Sequence, residues 1–370
     1  MNPREEQPNR RILVDVREFA DSRLTGIGRV LEGLVSALAE TDILNDILLA
    51  ATHAPSLPFR LQNQAKVKIV ELPGSFLKSE KALSDLTRSN IDLFISPYPK
   101  LPLFGSYAKA AHIIHDILDL THPAYRKRLK VYFDGWRLKK ALKRADLTWY
   151  DSMWSQKETR KYAGRIGNKP RVRYPGINDA FSPEKSVDDK AALQRYGLEL
   201  GYVLVIGNGL PHKNLSVILK VAGRISRRVV FVGVEEKNRL FWESRYPTVS
   251  ATWISHVQEA DLPSVLRAAF CLAQPSTAEG YGYPPLESMA CGVPAIVSNI
   301  PVLFETTGSI ALYADPHDPR SWVESFNALE RDEVYKAQAE KGLKWVEPLK
   351  GSGGWRGHIS DIKELLAERN

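Results

Sequence analysis

The sequence predicts an α/β protein of two domains, each built on a mainly parallel sheet. Short apolar runs of strand length alternate along the chain with segments whose apolar residues recur at helical spacing. A length of 370 residues, 44% of them hydrophobic, exceeds what one core usually takes in. A polar, turn-rich stretch, Tyr174-Pro-Gly-Ile-Asn-Asp-Ala-Phe-Ser-Pro-Glu-Lys185, divides two such series, with no internal repeat or low-complexity tract on either side.

Taken in order, Ile12-Leu-Val-Asp-Val16 is the first strand, and a glycine turn leads to a helix whose apolar face is Leu31, Leu34, Val35 and Leu38. Residues 92–96, 112–115 and 147–150 are further strands of the first series. The second opens with Tyr202-Val-Leu-Val-Ile206 and continues through strands at 229–232, 270–273, 295–297 and 310–313. The chain closes with a helical tail from about Gly357.

No apolar run approaches the roughly 20 residues needed to cross a bilayer, and residues 1–11 lack a signal-peptide core. The expectation is a cytoplasmic chain, or one held peripherally at the inner face of a membrane. Cys271 and Cys291 lie in apolar surroundings and read as core residues, since two thiols make neither a disulfide framework nor a zinc site. Residues 1–180 carry 30 Lys/Arg against 20 Asp/Glu, and residues 181–370 carry 21 against 23, so the halves are +10 and −2. The densest basic stretch, residues 126–144, mixes its cations with Tyr132, Phe133 and Trp136. An anionic lipid, a lipid-diphosphate acceptor or a nucleic acid would account for it, as would a solvated helix face with its aromatics turned into the core. No recognised nucleic-acid module accompanies it, and nucleic acid is not expected as a partner.

The segment richest in chemistry is Glu279-Gly-Tyr-Gly-Tyr-Pro-Pro-Leu-Glu287, two carboxylates with a glycine turn and a proline-started helix between them. Phe270-Cys-Leu-Ala-Gln-Pro-Ser276 reads as a buried strand before it, while Leu286, Met289 and Ala290 recur at helical spacing until Gly292 stops the helix. Proline suits a first helical turn, whose unpaired amides attract anions. Carboxylates beside such a turn would repel phosphate at close range and would rather accept hydrogen bonds from hydroxyls, so a ligand with both phosphates and hydroxyls, a sugar nucleotide, fits. The plainer reading makes Glu279 a solvated loop residue and Glu287 a first-turn acid favoured by the helix dipole.

Together with Met289-Ala-Cys-Gly-Val-Pro-Ala-Ile-Val297, this segment resembles the donor-site segment of the retaining GT-B glycosyltransferases of family 4, and the likeness extends over nearly the whole chain. The resemblance implies two Rossmann-like domains with mainly parallel sheets facing each other across a cleft. Residues 1–178 would be the acceptor-side domain, 179–345 the nucleotide-sugar donor domain, and 346–370 a helix crossing back to the first. It also implies that Glu279 binds hydroxyls of the donor sugar and supports a cation-like transition state, and that Glu287 holds the ribose. Gly280, Tyr281, Gly282, Tyr283 and Leu286 would complete the donor turn.

Three further segments fit this frame. In Thr25-Gly-Ile-Gly-Arg29, Gly26 and Gly28 bring backbone amides near a ligand or merely make a turn; the family has a glycine loop here, with Arg29 a candidate for the donor phosphates. In Gly207-Asn-Gly-Leu-Pro-His-Lys-Asn-Leu215, Asn214 can cap the following helix and Lys213 can stabilise a leaving diphosphate. The family often pairs this lysine with an arginine a few residues earlier, where this chain offers Asn208 and His212. His115-Asp116, at a strand end, resembles the family's His-Asp segment and implies that His115 contacts the donor sugar or acceptor, with Asp116 as a second polar contact. His112 and His115 are three apart in a strand and point to opposite faces, and no Asp-x-Asp motif occurs, so metal independence is expected.

The resulting expectation is a metal-independent retaining hexosyltransferase without cofactor. The co-substrate that 279–287 and Pro-His-Lys-Asn-Leu most resemble is GDP-mannose, with UDP-hexose and other GDP- or dTDP-sugars open. The acceptor would be a lipid-linked saccharide of surface-polysaccharide or lipopolysaccharide assembly, met by the basic first domain at a membrane surface. Residues 96–104, a proline-rich loop holding Tyr98 and Lys100, form the candidate acceptor-facing segment. Alternatives are an epimerase or hydrolase of the same fold, or a scaffold that binds sugar nucleotides without turnover.

Overall fold

The computed structural model describes residues 10–20, 25–53, 57–62, 64–125 and 130–368. The chain forms two compact units, one made of the residues up to Gly176 together with those from Gly351 onward, the other of Ile177–Lys350.

Unit 1 holds β1 (Arg11–Asp15), β2 (Asp46–Ala51), β3 (Val67–Glu71), β4 (Leu93–Ser96), β5 (Lys109–Ile114), β6 (Leu147–Tyr150) and β7 (Pro170–Val172). They form one sheet in the order β3-β2-β1-β4-β5-β6-β7, every pair parallel. Unit 2 holds β8 (Tyr202–Ile206), β9 (Val229–Val232), β10 (Thr252–Ile254), β11 (Ala269–Gln274), β12 (Ala295–Ser298) and β13 (Leu312–Ala314), ordered β10-β9-β8-β11-β12-β13 and again all parallel. Both are doubly wound, and the strand order reverses between β1 and β4 and between β8 and β11. Ligands of such sheets bind outside the carboxyl ends of the strands at that reversal.

The central strands are buried on both faces, as parallel strands covered by helices must be, which is why they read as unbroken apolar runs. Cys271 and Cys291 are buried and free, and burial pushes the Cys291 thiol up to about 12. The expected strand at 310–313 begins later, at Leu312, because Gly308 and Ser309 take left-handed conformations after the preceding helix. His115 lies just past β5 rather than in it. Among the described residues no helix is long and apolar enough to cross a membrane.

The last helix, Arg356–Ala367, belongs to unit 1. Trp355, just before it, packs against Gly33 of the Gly26–Ala39 helix and against Gly176, where a Cβ would overlap its ring. His358 sits at ring-centroid distances of 5.3 Å from Trp149 and 5.1 Å from Trp355. Burial holds His358 neutral, with its pKa down at about 3; the Asp361 charge opposes this, while those of Arg173 and His115 assist it. Burial does the same to His112, which shares a 3.0 Å hydrogen bond with Thr148.

A folded pKa depressed below the ordinary imidazole value of 6.5 means that the unfolded chain binds more protons between the two values. Stability from this source is present above about pH 6.5 and is lost as pH falls toward about 3. The urea midpoint is therefore expected to drop from about pH 7 to about pH 5, and His358→Gln to make that drop shallower. An unchanged slope in the variant would remove His358 from the account.

Candidate functional site

In unit 2 the strand-order reversal sets two loops side by side. After β8, Gly207-Asn-Gly-Leu leads into the 3-10 turn Pro211–Lys213, and the lysine stem lies against Gly207, where a Cβ would come within 3.3 Å of it. After β11 comes the segment that carries Glu279. Lys213 Nζ donates to Glu279 Oε1 at 2.7 Å, and Gln274 Nε2, at the end of β11, donates to the same oxygen at 2.5 Å. Glu279 is only 8% exposed. Burial pushes its carboxyl up, but the charge and hydrogen bond of Lys213, then the Ser276 hydroxyl and the His212 charge, outweigh it and hold the group below the usual carboxylate value. Glu279 is thus no solvated loop residue: it is a buried carboxylate held ionised by a lysine from the neighbouring strand end.

The turn beyond it is built as the sequence indicates. Gly282 takes a left-handed φ of 94°, and a side chain there would run into Leu303. The Tyr283–Ala290 helix starts with proline in its first turn. The rings of Tyr281 and Tyr283 meet edge to face, with centroids 5.3 Å apart. Leu286 is fully buried, and Glu287, in the helix's second turn, is 1% exposed. Asn208 is an exposed turn residue whose side chain accepts from the amide of Leu210.

Asn214 does not cap the Leu215–Val221 helix. It takes a left-handed φ of 48°, and its Nδ2 donates instead to the carbonyls of Pro275 and Pro316, at 3.0 and 2.8 Å. With Thr277 N donating to the His212 carbonyl at 2.8 Å, this ties the lysine turn to the segment that carries Glu279.

In unit 1 the described candidates gather at strand ends too. His115, after β5, shares a 2.5 Å Nδ1 contact with Asp151 Oδ2, after β6. Burial disfavours the imidazolium, but Asp151, then Asp116 and the carbonyl of Pro97, turn the balance and raise the His115 pKa above the ordinary value. Asp116 spends one oxygen on the Leu118 amide, at 2.8 Å, starting the Leu118–Thr121 turn. Gly26 and Gly28 do not form a loop. They lie in the first turn of the Gly26–Ala39 helix, because the Thr25 hydroxyl takes the Gly28 amide, at 3.1 Å, and so starts the helix there. Arg29 follows in the same turn. Glu18 joins these parts: one oxygen accepts from Thr25 Oγ1, the other from the Tyr98 hydroxyl at 2.7 Å. Lys100 Nζ lies 4.5 Å over the Tyr98 ring, its pKa lowered first by burial and then by the Arg137 charge.

Gln274, Ser276, Asp151 and Glu18 belong to these constellations and were not anticipated. For Gln274 and Asp151 the usable signal was a polar residue directly after an apolar strand run, the position where parallel sheets bind ligands. Among the described residues no group of three His, Cys, Asp or Glu side chains is placed to share a metal ion.

The two units, each a doubly wound parallel sheet, have the architecture of the GT-B glycosyltransferases. Residues 194–345 match the family of glycosyl transferases group 1. The chain is 26% identical over 321 residues to O-antigen chain mannosyltransferase B of Escherichia coli, covering 80% of this chain and 84% of that one. It is 28% identical over 235 residues to O-antigen chain mannosyltransferase RfbU of Salmonella typhimurium, covering 59% and 60%. The crystal structure of Anabaena HepE in complex with UDP-glucose superposes with a TM-score of 0.77 at 16% identity, covering 96% of this chain and 99% of that one. Residues 194–345 are thus similar to the group 1 glycosyl transferases, and 80% of the chain is similar in sequence to an O-antigen mannosyltransferase.

Proposed function

We propose that the protein transfers a mannosyl group from GDP-mannose to a hydroxyl of a lipid-linked saccharide in surface-polysaccharide or lipopolysaccharide assembly, with retention of anomeric configuration. The observation that carries the transfer chemistry is the buried Lys213–Glu279 pair at the strand-order reversal of unit 2. The choice of mannose rests on the two relatives named as O-antigen mannosyltransferases.

In this reading Lys213 meets the β-phosphate as the bond from the sugar C1 to the diphosphate oxygen breaks, offsetting the charge that develops there. The acceptor oxygen bonds C1 on the face the diphosphate leaves, and its proton passes to the departing phosphate. Glu279, freed in part from Lys213 by the competing diphosphate, accepts from sugar hydroxyls and supports the positive charge at C1. Gly280 to Tyr283 line the phosphates, Glu287 holds the ribose, and no step is given to a metal ion. In unit 1, His115 serves the acceptor side and Asp151 is its positioning residue. Peripheral attachment at the inner face of the membrane belongs to the same reading.

The test is a thermal-shift screen of nucleotide sugars, followed by incubation of the best binder with lipid-linked acceptors and NMR assignment of the new anomeric linkage. Failure of every nucleotide sugar to stabilise a folded sample would sink the donor site, and an inverted linkage would sink the mechanism. Consumption of donor at the same rate without acceptor would point to an epimerase or hydrolase.

The His115–Asp151 contact gives a second test. A folded pKa raised above the ordinary value means that the pair contributes its full stabilisation below about pH 6.5 and loses it as pH rises through the folded value. In Asp151→Asn burial dominates and the His115 pKa falls, so the alkaline limb of kcat/KM moves to lower pH. A limb that stays in place would mean that turnover does not depend on the charge of His115, and that its place on the acceptor side needs only the neutral ring.

A further inference from the structure

The Lys130–Arg144 helix in unit 1 does not turn its aromatics into the core. Leu138, Ala141 and Leu142 are buried, whereas Tyr132, Phe133 and Trp136 are 78%, 42% and 48% exposed. Phe133 and Trp136 stack with centroids 5.9 Å apart, and Phe104 of the neighbouring loop is 54% exposed. The stretch 126–129, read from sequence as part of the same basic segment, lies outside the described residues.

Between this helix and residues 101–106 lies a cavity of about 150 Å³, whose lining includes Pro102, Gly105, Trp136, Arg137, Lys140 and Arg144. One water needs roughly a tenth of that volume. The wall is positive and partly preset. Arg137, 4% exposed, is fixed by Glu80 Oε2 at 2.8 Å and by the Leu101 carbonyl at 2.7 Å. Glu80 is shared with Arg17, at 3.1 Å, and Arg17 also pairs with Asp15, at 2.7 Å, so the two guanidiniums are balanced by two carboxylates and the excess charge of the wall comes from Lys140 and Arg144. Lys140 Nζ donates to the Leu103 carbonyl at 3.0 Å, and among the described residues no carboxylate pairs with Lys140 or Arg144. Lys140 is held below the usual lysine value first by partial burial and then by repulsion from Arg144 and Arg137. The candidate acceptor loop and the basic helix, separate in sequence, thus form the two walls of one concave, cationic cavity.

A single-stranded nucleic acid is bound along an extended groove with bases stacked in series, whereas this cavity is compact. Its two uncompensated cations, Lys140 and Arg144, match the two charges of a diphosphate esterified at both ends, and exposed Tyr and Trp beside lysines are the composition of a membrane interface. We propose that the cavity takes the diphosphate of a lipid headgroup at a bilayer surface, with Arg137, Lys140 and Arg144 on the phosphate oxygens and Tyr132, Phe133 and Trp136 in the interfacial layer. The proposal rests on the reading of unit 1 as the side that meets a lipid-linked acceptor, and gives that acceptor's diphosphate a place.

The experiment is co-flotation of the full chain with phosphatidylcholine vesicles, either plain, doped with a polyprenyl diphosphate, or doped to equal charge with phosphatidylglycerol. Lys140→Ala/Arg144→Ala is compared with Lys139→Ala/Lys143→Ala, which removes equal charge from the same helix outside the cavity. Diphosphate vesicles should bind at least about tenfold tighter than plain ones and tighter than phosphatidylglycerol vesicles, and the first double variant should lose about tenfold, the second less than about threefold. Equal losses in the two variants would overturn the cavity in favour of diffuse charge. Competition by inorganic pyrophosphate without any vesicle binding would overturn the lipid, as would a preference for RNA over vesicles. Transfer to a short soluble acceptor is measured in parallel. In the unsubstituted chain, no preference for diphosphate vesicles with transfer intact overturns the cavity alone, whereas that preference without transfer overturns the transferase reading and leaves the cavity standing.

Discussion

Lys213→Ala is expected to lower kcat/KM by about two to three orders of magnitude, the loss typical of removing one preset group aimed at developing charge. The substitution has two separable consequences. It removes the cation proposed to meet the diphosphate, and it leaves the Glu279 carboxylate, 8% exposed, without its lysine partner. Breaking a buried pair from one side costs about 3 kcal/mol, because the remaining charge stays desolvated. Lys213→Ala should therefore be less stable as well as less active, and its Glu279 carboxyl should titrate higher than in the parent. The double variant Lys213→Ala/Glu279→Gln removes the uncompensated charge and is expected to recover most of the stability while recovering none of the turnover. Such a cycle separates a structural salt bridge from a catalytic one. Stabilisation by nucleotide sugar, read as a thermal shift, should fall in the single and stay low in the double. Normal nucleotide affinity and turnover in Lys213→Ala would remove the phosphate role altogether.

That the pair exists was only half legible in the sequence. Each partner stands out locally, Lys213 after a glycine-rich strand end and Glu279 before a proline-started helix. Their 2.7 Å contact spans 66 positions and follows from the strand order, which sets β8 beside β11. Asp151 is a sharper case. It follows a four-residue strand, and only the pairing of β5 with β6 shows that its carboxylate reaches His115, 36 positions away. Strands buried on both faces, such as β8 and β9, were readable as unbroken apolar runs. β7 and β10 were not, being sheet-edge strands of three residues; β13, equally short and at an edge, was readable only because the apolar run Ile310-Ala-Leu-Tyr-Ala314 extends beyond it. Residues with two backbone options were misread in predictable ways. Gly26 and Gly28 suit a loop or a first helical turn, and the Thr25 hydroxyl decides for the turn. Asn214 suits a cap or a left-handed bend, and two proline carbonyls decide for the bend. The 130–144 segment allowed aromatics in or out, and helical phase settles it: Leu138, Ala141 and Leu142 take the inner face and leave Tyr132, Phe133 and Trp136 at the surface.

Asp361→Ala should be the most destabilising single change in unit 1 away from the candidate site, by about 3–5 kcal/mol. Asp361 is 4% exposed and accepts three hydrogen bonds: from the Trp149 indole at 2.9 Å and from two nitrogens of Arg173, each at 2.8 Å. Its removal leaves the indole N–H of a fully buried tryptophan unsatisfied and the guanidinium without its bidentate partner, a penalty that repacking around alanine does not relieve. Asp361→Asn, which keeps acceptor capacity but not charge, should cost about half as much. The loss should be local. The chain passes from unit 1 to unit 2 at Gly176–Ile177 and returns at Lys350–Gly351, so the Arg356–Ala367 helix that carries Asp361 docks on unit 1 after all of unit 2 has been made. Hydrogen exchange should show the amides of this helix and of β6 losing protection, while those of β8 and β11 keep it. Nucleotide-sugar stabilisation, which in this account depends on Lys213 and the turn after Glu279, should persist at temperatures where the helix has already been released. Equal loss of protection in both units would mean that they unfold as one cooperative body, and the helix would then be a general stabiliser rather than a latch belonging to unit 1.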